Sequence, residues 1–160
     1  MFKHSLRPAL LLIVFSILAT GLLAQVKDKA KLQQMVESRH FLFVAQMAIP
    51  MGGHSRVLNS NYDLRISGDS LFCYLPYYGR AYASTPGTVD RGLDFTSVKL
   101  EYDQKPAKKG GWTVTVKPLN QNIVQNMVFL ITESGSASLQ VTCRDRQSIS
   151  FDGYIDEKKK

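Results

Sequence analysis

Ser70 stands in a sequence context that suggests nucleophilic catalysis. It belongs to Gly68-Asp69-Ser70-Leu71, which matches the motif around the nucleophilic serine of one class of esterases. Such a serine needs a base that takes its proton and a carboxylate that orients the base. In those esterases the base is a histidine near the carboxyl end, whereas the last histidine of this chain, His54, precedes Ser70. We therefore predict that Ser70 belongs to a hairpin and is not a nucleophile.

Histidines and glycines give no better candidate for a catalytic, metal or cofactor site. His40 and His54 have no partner at a spacing that would complete the three protein ligands of a catalytic zinc. The glycine pairs Gly52-Gly53 and Gly110-Gly111 lack the spacing of a phosphate-binding loop. The sequence therefore predicts no enzyme, no metal and no cofactor, with an unrecognised hydrolase as the alternative.

The most distinctive segment, Tyr74–Tyr82, holds four tyrosines and one arginine in nine residues. Tyr77, Tyr78, Arg80 and Tyr82 are the candidate ligand-binding residues, because hydroxyls and a guanidinium beside aromatic rings can orient a small molecule. The alternative, and the commoner role of tyrosines in strands, is packing at the edge of a core with the hydroxyls at the surface.

The first 24 residues have the three parts of a secretory signal peptide. Lys3 and Arg7 precede an uncharged apolar run, Pro8 to Leu23, and Ala24 supplies a small residue for cleavage. The run has 16 residues, fewer than the about 20 that span a membrane as a helix. We predict a signal peptide, residues 1–24, and one exported domain, residues 25–160, in the periplasm or cell envelope. An uncleaved membrane anchor is the alternative.

The charge of the exported part argues against nucleic acid as a partner. The net charge of +7 falls to +5 when Lys3 and Arg7 leave with the signal peptide. Much of the remaining positive charge lies in residues 105–109 and 158–160, which have the composition of a solvated loop and tail. Nucleic-acid surfaces instead cluster basic residues among exposed aromatics. We expect no nucleic-acid partner and no stable membrane insertion after cleavage.

Hydrophobic periodicity predicts one helix followed by short strands. Residues 26–39 carry Leu32, Met35 and Val36 at helical spacing, and from residue 41 onwards apolar and polar residues alternate. Tight turns between about eight strands favour an antiparallel meander, because parallel neighbours need long crossovers. The predicted fold is mainly β: a small barrel or sandwich with the N-terminal helix packed on it.

Three local features of this pattern predict specific turns and strand faces. Gly68-Asp69 predicts a two-residue hairpin turn that places Leu64 opposite Cys73. The alternation over Phe95–Tyr102 predicts one strand with Val98 on the same side as Leu100. Asp152-Gly153 predicts a turn between the last two strands.

The two cysteines, Cys73 and Cys143, both fall on the apolar side of their predicted strands. An oxidising compartment permits a disulfide between them. Sequence leaves two alternatives open, a disulfide or a pair of buried thiols, because it does not give the distance between them.

Several segments together resemble one family of exported bacterial proteins. They are residues 48–53, 68–70, 74–82, 146–150 and 153–155, spread over most of the chain from Met35 to Ile155. The chain resembles domain-of-unknown-function family 4251, which consists of exported proteins of Bacteroidetes-type bacteria. The resemblance implies a periplasmic or envelope location and brings no catalytic residue with it.

Two functions follow as expectations. The first is a non-catalytic module that binds a small apolar or amphipathic molecule. The second is an envelope protein that works through contact with another protein, at a surface patch or a sheet edge.

Overall fold

The computed structural model describes residues 29–80 and 92–157. The predicted signal peptide, residues 1–24, and Tyr82 lie outside these ranges. Residues 29–37 form helix α1 within the predicted span of 26–39, and residues 38 and 39 form a turn. The strands are β1 (His40–Pro50), β2 (Arg56–Ser67), β3 (Ser70–Leu75), β4 (Leu93–Ser97), β5 (Leu100–Pro106), β6 (Trp112–Pro118), β7 (Val124–Ile131), β8 (Ser136–Cys143) and β9 (Ile149–Asp156).

The described strands form one antiparallel sheet that curls into a nearly closed barrel. Its order is β4-β3-β2-β1-β9-β8-β7-β6-β5, so strands that follow each other in sequence pair, except β4 and β5, which lie at the two ends of the sheet, and β9 returns to β1. The predicted meander is therefore confirmed, as is the mainly β class with one short N-terminal helix. Of the two predicted closures, the barrel is the one that forms.

A bend between β4 and β5 is where the barrel wall is interrupted. Following the antiparallel pairs around the sheet, β4 and β5 run in the same direction, and only Val98 and Lys99 separate them. They are thus two halves of one bent strand, of which the first pairs with β3 and the second with β6. The prediction that Val98 shares a face with Leu100 is wrong. Val98 is 64% exposed because the bend turns it outward, while Leu100 is buried.

The hairpin at Gly68-Asp69 forms as predicted. Leu64 pairs with Cys73, and Ser67 pairs with Ser70 across the turn. Gly68 has φ +62°, the left-handed conformation that this kind of turn requires. Ser70 is therefore the first residue of a strand in a tight hairpin.

The barrel interior is filled by the inward-facing side chains of all nine described strands. Phe41 and Phe43 of β1 each pack edge-to-face against Phe129 of β7, with ring centroids 5.8 Å apart in both pairs. All three rings are fully buried. Leu32 and Val36 of α1 join the same core and cover one end of the barrel.

A bulge in β1 shapes the middle of the sheet. Ala45 pairs with Gly153 of β9 while Met47 pairs with Asp152, so Gln46 is an extra residue that has no partner. Here Asp152-Gly153 lies within β9, and the predicted turn at this position is wrong. A Cβ on Gly153 would overlap the Val44 carbonyl oxygen, so the glycine permits close approach of β1 instead of reversing the chain.

Helix α1 is tied to the barrel at the end where β1 begins. The Tyr102 hydroxyl of β5 donates a hydrogen bond to the Val36 carbonyl, 2.8 Å away. Arg39 pairs with Asp69 at 3.1 Å and lies over the Tyr102 ring, 5.2 Å from its centroid. Arg39 therefore connects the β2–β3 hairpin to β5, two parts of the wall that no strand ladder joins.

The first and last described residues lie at this same end. Lys29 pairs with Glu133 at 2.7 Å, and Lys31 pairs with Glu157 at 2.6 Å. Both ion pairs are about half exposed, so they fix the position of α1 more than they add to stability. No helix within residues 29–80 and 92–157 has the length and apolarity needed to cross a membrane.

Candidate functional site

Residues 76–80 of the predicted tyrosine segment lie at the end of the barrel opposite α1. Strand β3 ends there at Leu75, and Pro50 at the end of β1 pairs with Ile149 at the start of β9. Two loops, residues 76–80 and 144–148, meet beyond these strand ends. Together with Arg56 at the start of β2, we call them the tyrosine–arginine end.

Gln147 joins the two loops. Its main-chain N–H donates to the Arg80 carbonyl at 3.1 Å, and its side-chain oxygen Oε1 accepts from the Arg80 N–H at 3.3 Å. These bonds hold the main chain of Arg80 in place although 67 residues separate the two positions.

Tyr77 strengthens the same junction. Its hydroxyl lies 2.9 Å from the Gln147 carbonyl oxygen and 3.2 Å from that of Arg80. The ring folds so closely over Gly79 that a Cβ there would overlap the Tyr77 hydroxyl. Arg146 covers the ring, with Cζ 4.9 Å from the centroid. These contacts give Tyr77 a packing role at this end, and its part in ligand binding stays a prediction.

Tyr78 has a different setting. It is half-buried, and the exposed Arg56 lies over its ring with Cζ 4.7 Å from the centroid. A guanidinium over an aromatic face is attractive through the ring quadrupole and leaves its N–H groups pointing outward for other acceptors. Tyr78 and Arg56 therefore form an aromatic and cationic surface at the rim of the barrel.

The charge at this end is strongly positive. Arg56, Arg80, Arg144 and Arg146 are accompanied in these described segments by one carboxylate, Asp145. Arg146 binds Asp145 in a bidentate manner: its Nε donates to Oδ1 at 3.0 Å and its Nη2 donates to Oδ2 at 3.2 Å. Hydrogen bonding to Arg146 lowers the pKa of Asp145, so this carboxylate stays charged and is already engaged.

Comparison of the sequence with models of known families identifies the family of this chain. The model of the family described as "Domain of unknown function (DUF4251)" matches residues 24–155 of the chain. The chain belongs to the DUF4251 family. A search of the curated proteins finds no match.

A solved structure supports the fold of this DUF4251 domain. The crystal structure of a DUF4251 family protein from Bacteroides eggerthii superposes with a TM-score of 0.59 and 10% sequence identity. The match covers 81% of this chain and 87% of that one. At this identity the likeness concerns the fold alone.

Of the four predicted ligand-binding residues, the structure brings together Tyr77, Tyr78 and Arg80. Arg56 is not among the residues predicted from the sequence, and Arg146 and Gln147 have no individual predicted role. Residues 146–150 belong to the segments that carry the family resemblance, so a signal for Arg146 and Gln147 existed. Arg56 carries no local signal, because its role depends on the β1–β2 connection that brings it over Tyr78.

Both cysteines of this DUF4251 domain are buried free thiols in the structure. Cys73 lies on β3 and Cys143 at the end of β8, on the inner face as predicted. Burial raises the pKa of Cys143 to about 11 and that of Cys73 well above its ordinary value. Thiols in such surroundings are poor nucleophiles, and the disulfide between them stays a prediction.

The histidines and the other possible metal ligands form no metal site in the part of the chain that the structure describes. No three His, Cys, Asp or Glu residues come close enough there to hold a metal ion. His40 Nδ1 contacts the Ser38 carbonyl oxygen at 2.6 Å, and His54 lies exposed in the β1–β2 connection.

Two shallow grooves lie away from the tyrosine–arginine end. One, of about 180 Å³, runs between α1 and the barrel rim beside Met35 and Ile155. The other, of about 310 Å³, lies on the outer face of β7, β8 and β9 beside Leu130 and Gly153. Neither groove includes Tyr77, Tyr78 or Arg80.

Proposed function

We propose that this DUF4251 protein is an exported, non-catalytic module that binds a small amphipathic molecule at its tyrosine–arginine end. The observation that carries the proposal is the Arg56–Tyr78 stack, 4.7 Å from Cζ to ring centroid, at the rim of the barrel. An aromatic ring with a polar partner is suited to a molecule that has both an apolar and a polar part.

The surrounding contacts support a preorganised site. Tyr77 and Gln147 fix the two loops on which Tyr78 and Arg80 stand. A binding surface whose main chain is already held loses less conformational entropy when a ligand arrives. The filled interior supports a site at the rim over one inside the barrel, because the largest core side chains are fully buried.

The export part of the proposal rests on the sequence of residues 1–24. N-terminal sequencing of the protein recovered from the producing cells tests it, with Gln25 expected as the first residue. A mature chain that keeps Met1 or the apolar run would overturn export by cleavage.

The binding part is tested by native mass spectrometry of the protein taken from the periplasmic fraction. We expect a small molecule retained by the wild type and lost in Tyr78→Ala. The matched control is Tyr74→Ala, which removes an exposed tyrosine on the outer face of β3 and should keep the molecule. Equal retention by both variants, or no retained molecule, would contradict the proposed site.

A specific observation favours a second candidate, contact with another protein. Strands β4 and β5 end the sheet, so each pairs along only one edge in the described structure. Unpaired edges bind extended segments of other proteins by strand addition. In the same mass spectra, a retained polypeptide with no small molecule would favour this candidate over the first.

A further inference from the structure

Three guanidinium groups at the tyrosine–arginine end, those of Arg56, Arg80 and Arg144, have no anionic partner in the described structure. Asp145 is engaged by Arg146, which leaves the other three arginines with no ion pair or side-chain hydrogen bond among residues 29–80 and 92–157. All three are exposed, and Arg56 and Arg80 are the two that lie near Tyr78, by stacking and along the chain. Their charge is therefore balanced by solvent ions or by a ligand.

The stack on the Tyr78 ring holds Arg56 in place without using its hydrogen-bond donors. The guanidinium is a rigid fork with five N–H donors in its plane, and contact with the Tyr78 ring is made through its face. The fork edge thus remains available to a carboxylate or phosphate, which it fits in a bidentate manner.

Arg80 stands two residues beyond Tyr78 on a fixed main chain. The two bonds between Arg80 and Gln147 and the Tyr77 hydroxyl hold this position. Because the backbone is held, the freedom that Arg80 loses on binding an anion is confined to its own side chain.

We propose that the ligand of the tyrosine–arginine end carries an anionic head group, a carboxylate or a phosphate, bound by Arg56 and Arg80 with its apolar part beside Tyr78. This inference rests on the proposed function and specifies the chemistry of the ligand. Tyr77 and Arg146 hold the two loops in place and are not proposed to contact the ligand.

The test compares three probes with the same twelve-carbon chain: dodecanoate, dodecyl phosphate and dodecanol. Binding to the purified mature protein is measured by isothermal titration calorimetry below the micellar concentration of each probe. We expect at least one of the two anions to bind ten-fold or more tightly than the alcohol. Comparison of dodecanoate with dodecyl phosphate then shows which head group the site takes.

Two double variants give the matched comparison. Arg56→Met with Arg80→Met should reduce the affinity for the anion to that for dodecanol. Lys108→Met with Lys109→Met removes the same charge from an exposed turn at the α1 end and should leave the affinity within two-fold. Circular dichroism checks that both variants keep the strand content of the wild type.

The outcomes separate this inference from the proposed function. If dodecanol binds as tightly as the anions, or if both double variants lose affinity equally, the anionic head group is refuted and the binding module stands. If none of the probes binds, the anionic head group on an alkyl chain is refuted, and the native mass spectra decide the proposed function separately.

Discussion

Tyr77 and Gly79 depend on each other at the residue scale. The tyrosine ring occupies the space that a side chain on residue 79 would need, and its hydroxyl reaches the carbonyl oxygens of Arg80 and Gln147. A ring placed in this way joins two distant loops through one side chain. Its contribution is therefore to stability and to the shape of the tyrosine–arginine end.

Replacement of Tyr77 by phenylalanine removes the hydroxyl and keeps the ring. We expect a loss of about 1 kcal/mol in the free energy of unfolding, because a hydrogen bond to a half-buried carbonyl is lost. Urea unfolding followed by fluorescence measures it. Tyr74→Phe is the control, since the Tyr74 hydroxyl has no hydrogen-bond partner in the described structure, and it should change the value by less than about 0.5 kcal/mol.

The buried thiols predict a loss of stability in alkaline solution. In the unfolded chain Cys143 loses its proton near its ordinary pKa of 9.0, whereas in the folded protein burial raises that pKa to about 11. Between these values the unfolded chain binds fewer protons, so raising the pH favours unfolding. The free energy of unfolding of the reduced protein should fall between pH 9 and 11, with no effect from this group at lower pH.

Cys143→Ala isolates this effect. Urea unfolding at a series of pH values, with reductant present, should show a shallower decline above pH 9 in the variant than in the wild type. Cys73 and Tyr102, whose pKa values burial also raises, contribute to the decline that remains. Identical slopes in the two proteins would refute the assignment.

At the scale of elements, Gly153 controls how closely β9 approaches β1. The bulge at Gln46 and the missing side chain on Gly153 occur at the same place, between the Ala45 and Met47 pairs. The ladder between the two strands joins β1–β4 to β5–β9 within the sheet. A small change there affects two ladders, because β9 also pairs with β8.

Gly153→Ala should destabilise the protein by about 1–3 kcal/mol, because the new Cβ overlaps the Val44 carbonyl oxygen and the strands must move apart. The control is Gly52→Ala: a Cβ on Gly52 meets no atom within 4 Å, and stability should stay the same or rise slightly. Denaturant midpoints of the two variants give the comparison, and equal midpoints would count against the role of Gly153.

Local patterns predict elements well where the turn decides the structure. Gly68-Asp69 predicts both the hairpin and the pairing of Leu64 with Cys73, and the structure confirms them. The similar signal at Asp152-Gly153 fails, since there the glycine is required by contact with β1 and not by a reversal of the chain. The bend at Val98 fails for a related reason: it depends on where β3 and β6 lie, which is not local information.

At the scale of the whole molecule, the ladder between β1 and β9 completes the sheet. It joins the first and the last described strands, so the barrel forms only when both are present. No periodicity in the sequence reports a contact between segments so far apart. For the same reason the sequence predicts Tyr78 as a site residue but not its partner Arg56, which lies on another strand.

Truncation tests this dependence. A chain that ends at Ser148 lacks β9 and leaves one edge of both β1 and β8 unpaired, so we expect no cooperative unfolding transition. A chain that ends at Glu157 keeps every described strand and should unfold at the urea concentration of the full-length protein. Cooperative unfolding of the shorter chain would show that the remaining eight strands are sufficient.

The contact between Lys31 and Glu157 has a practical consequence. It places both described chain ends on one pole of the barrel, with the loops that carry Tyr78 and Arg80 on the other. A fluorophore, an affinity tag or a surface linker attached next to Lys29 or Glu157 therefore lies on the pole opposite Arg56 and Arg80. Immobilised through either end, the domain presents the same pole to the solution, which makes it a suitable scaffold for an oriented biosensor.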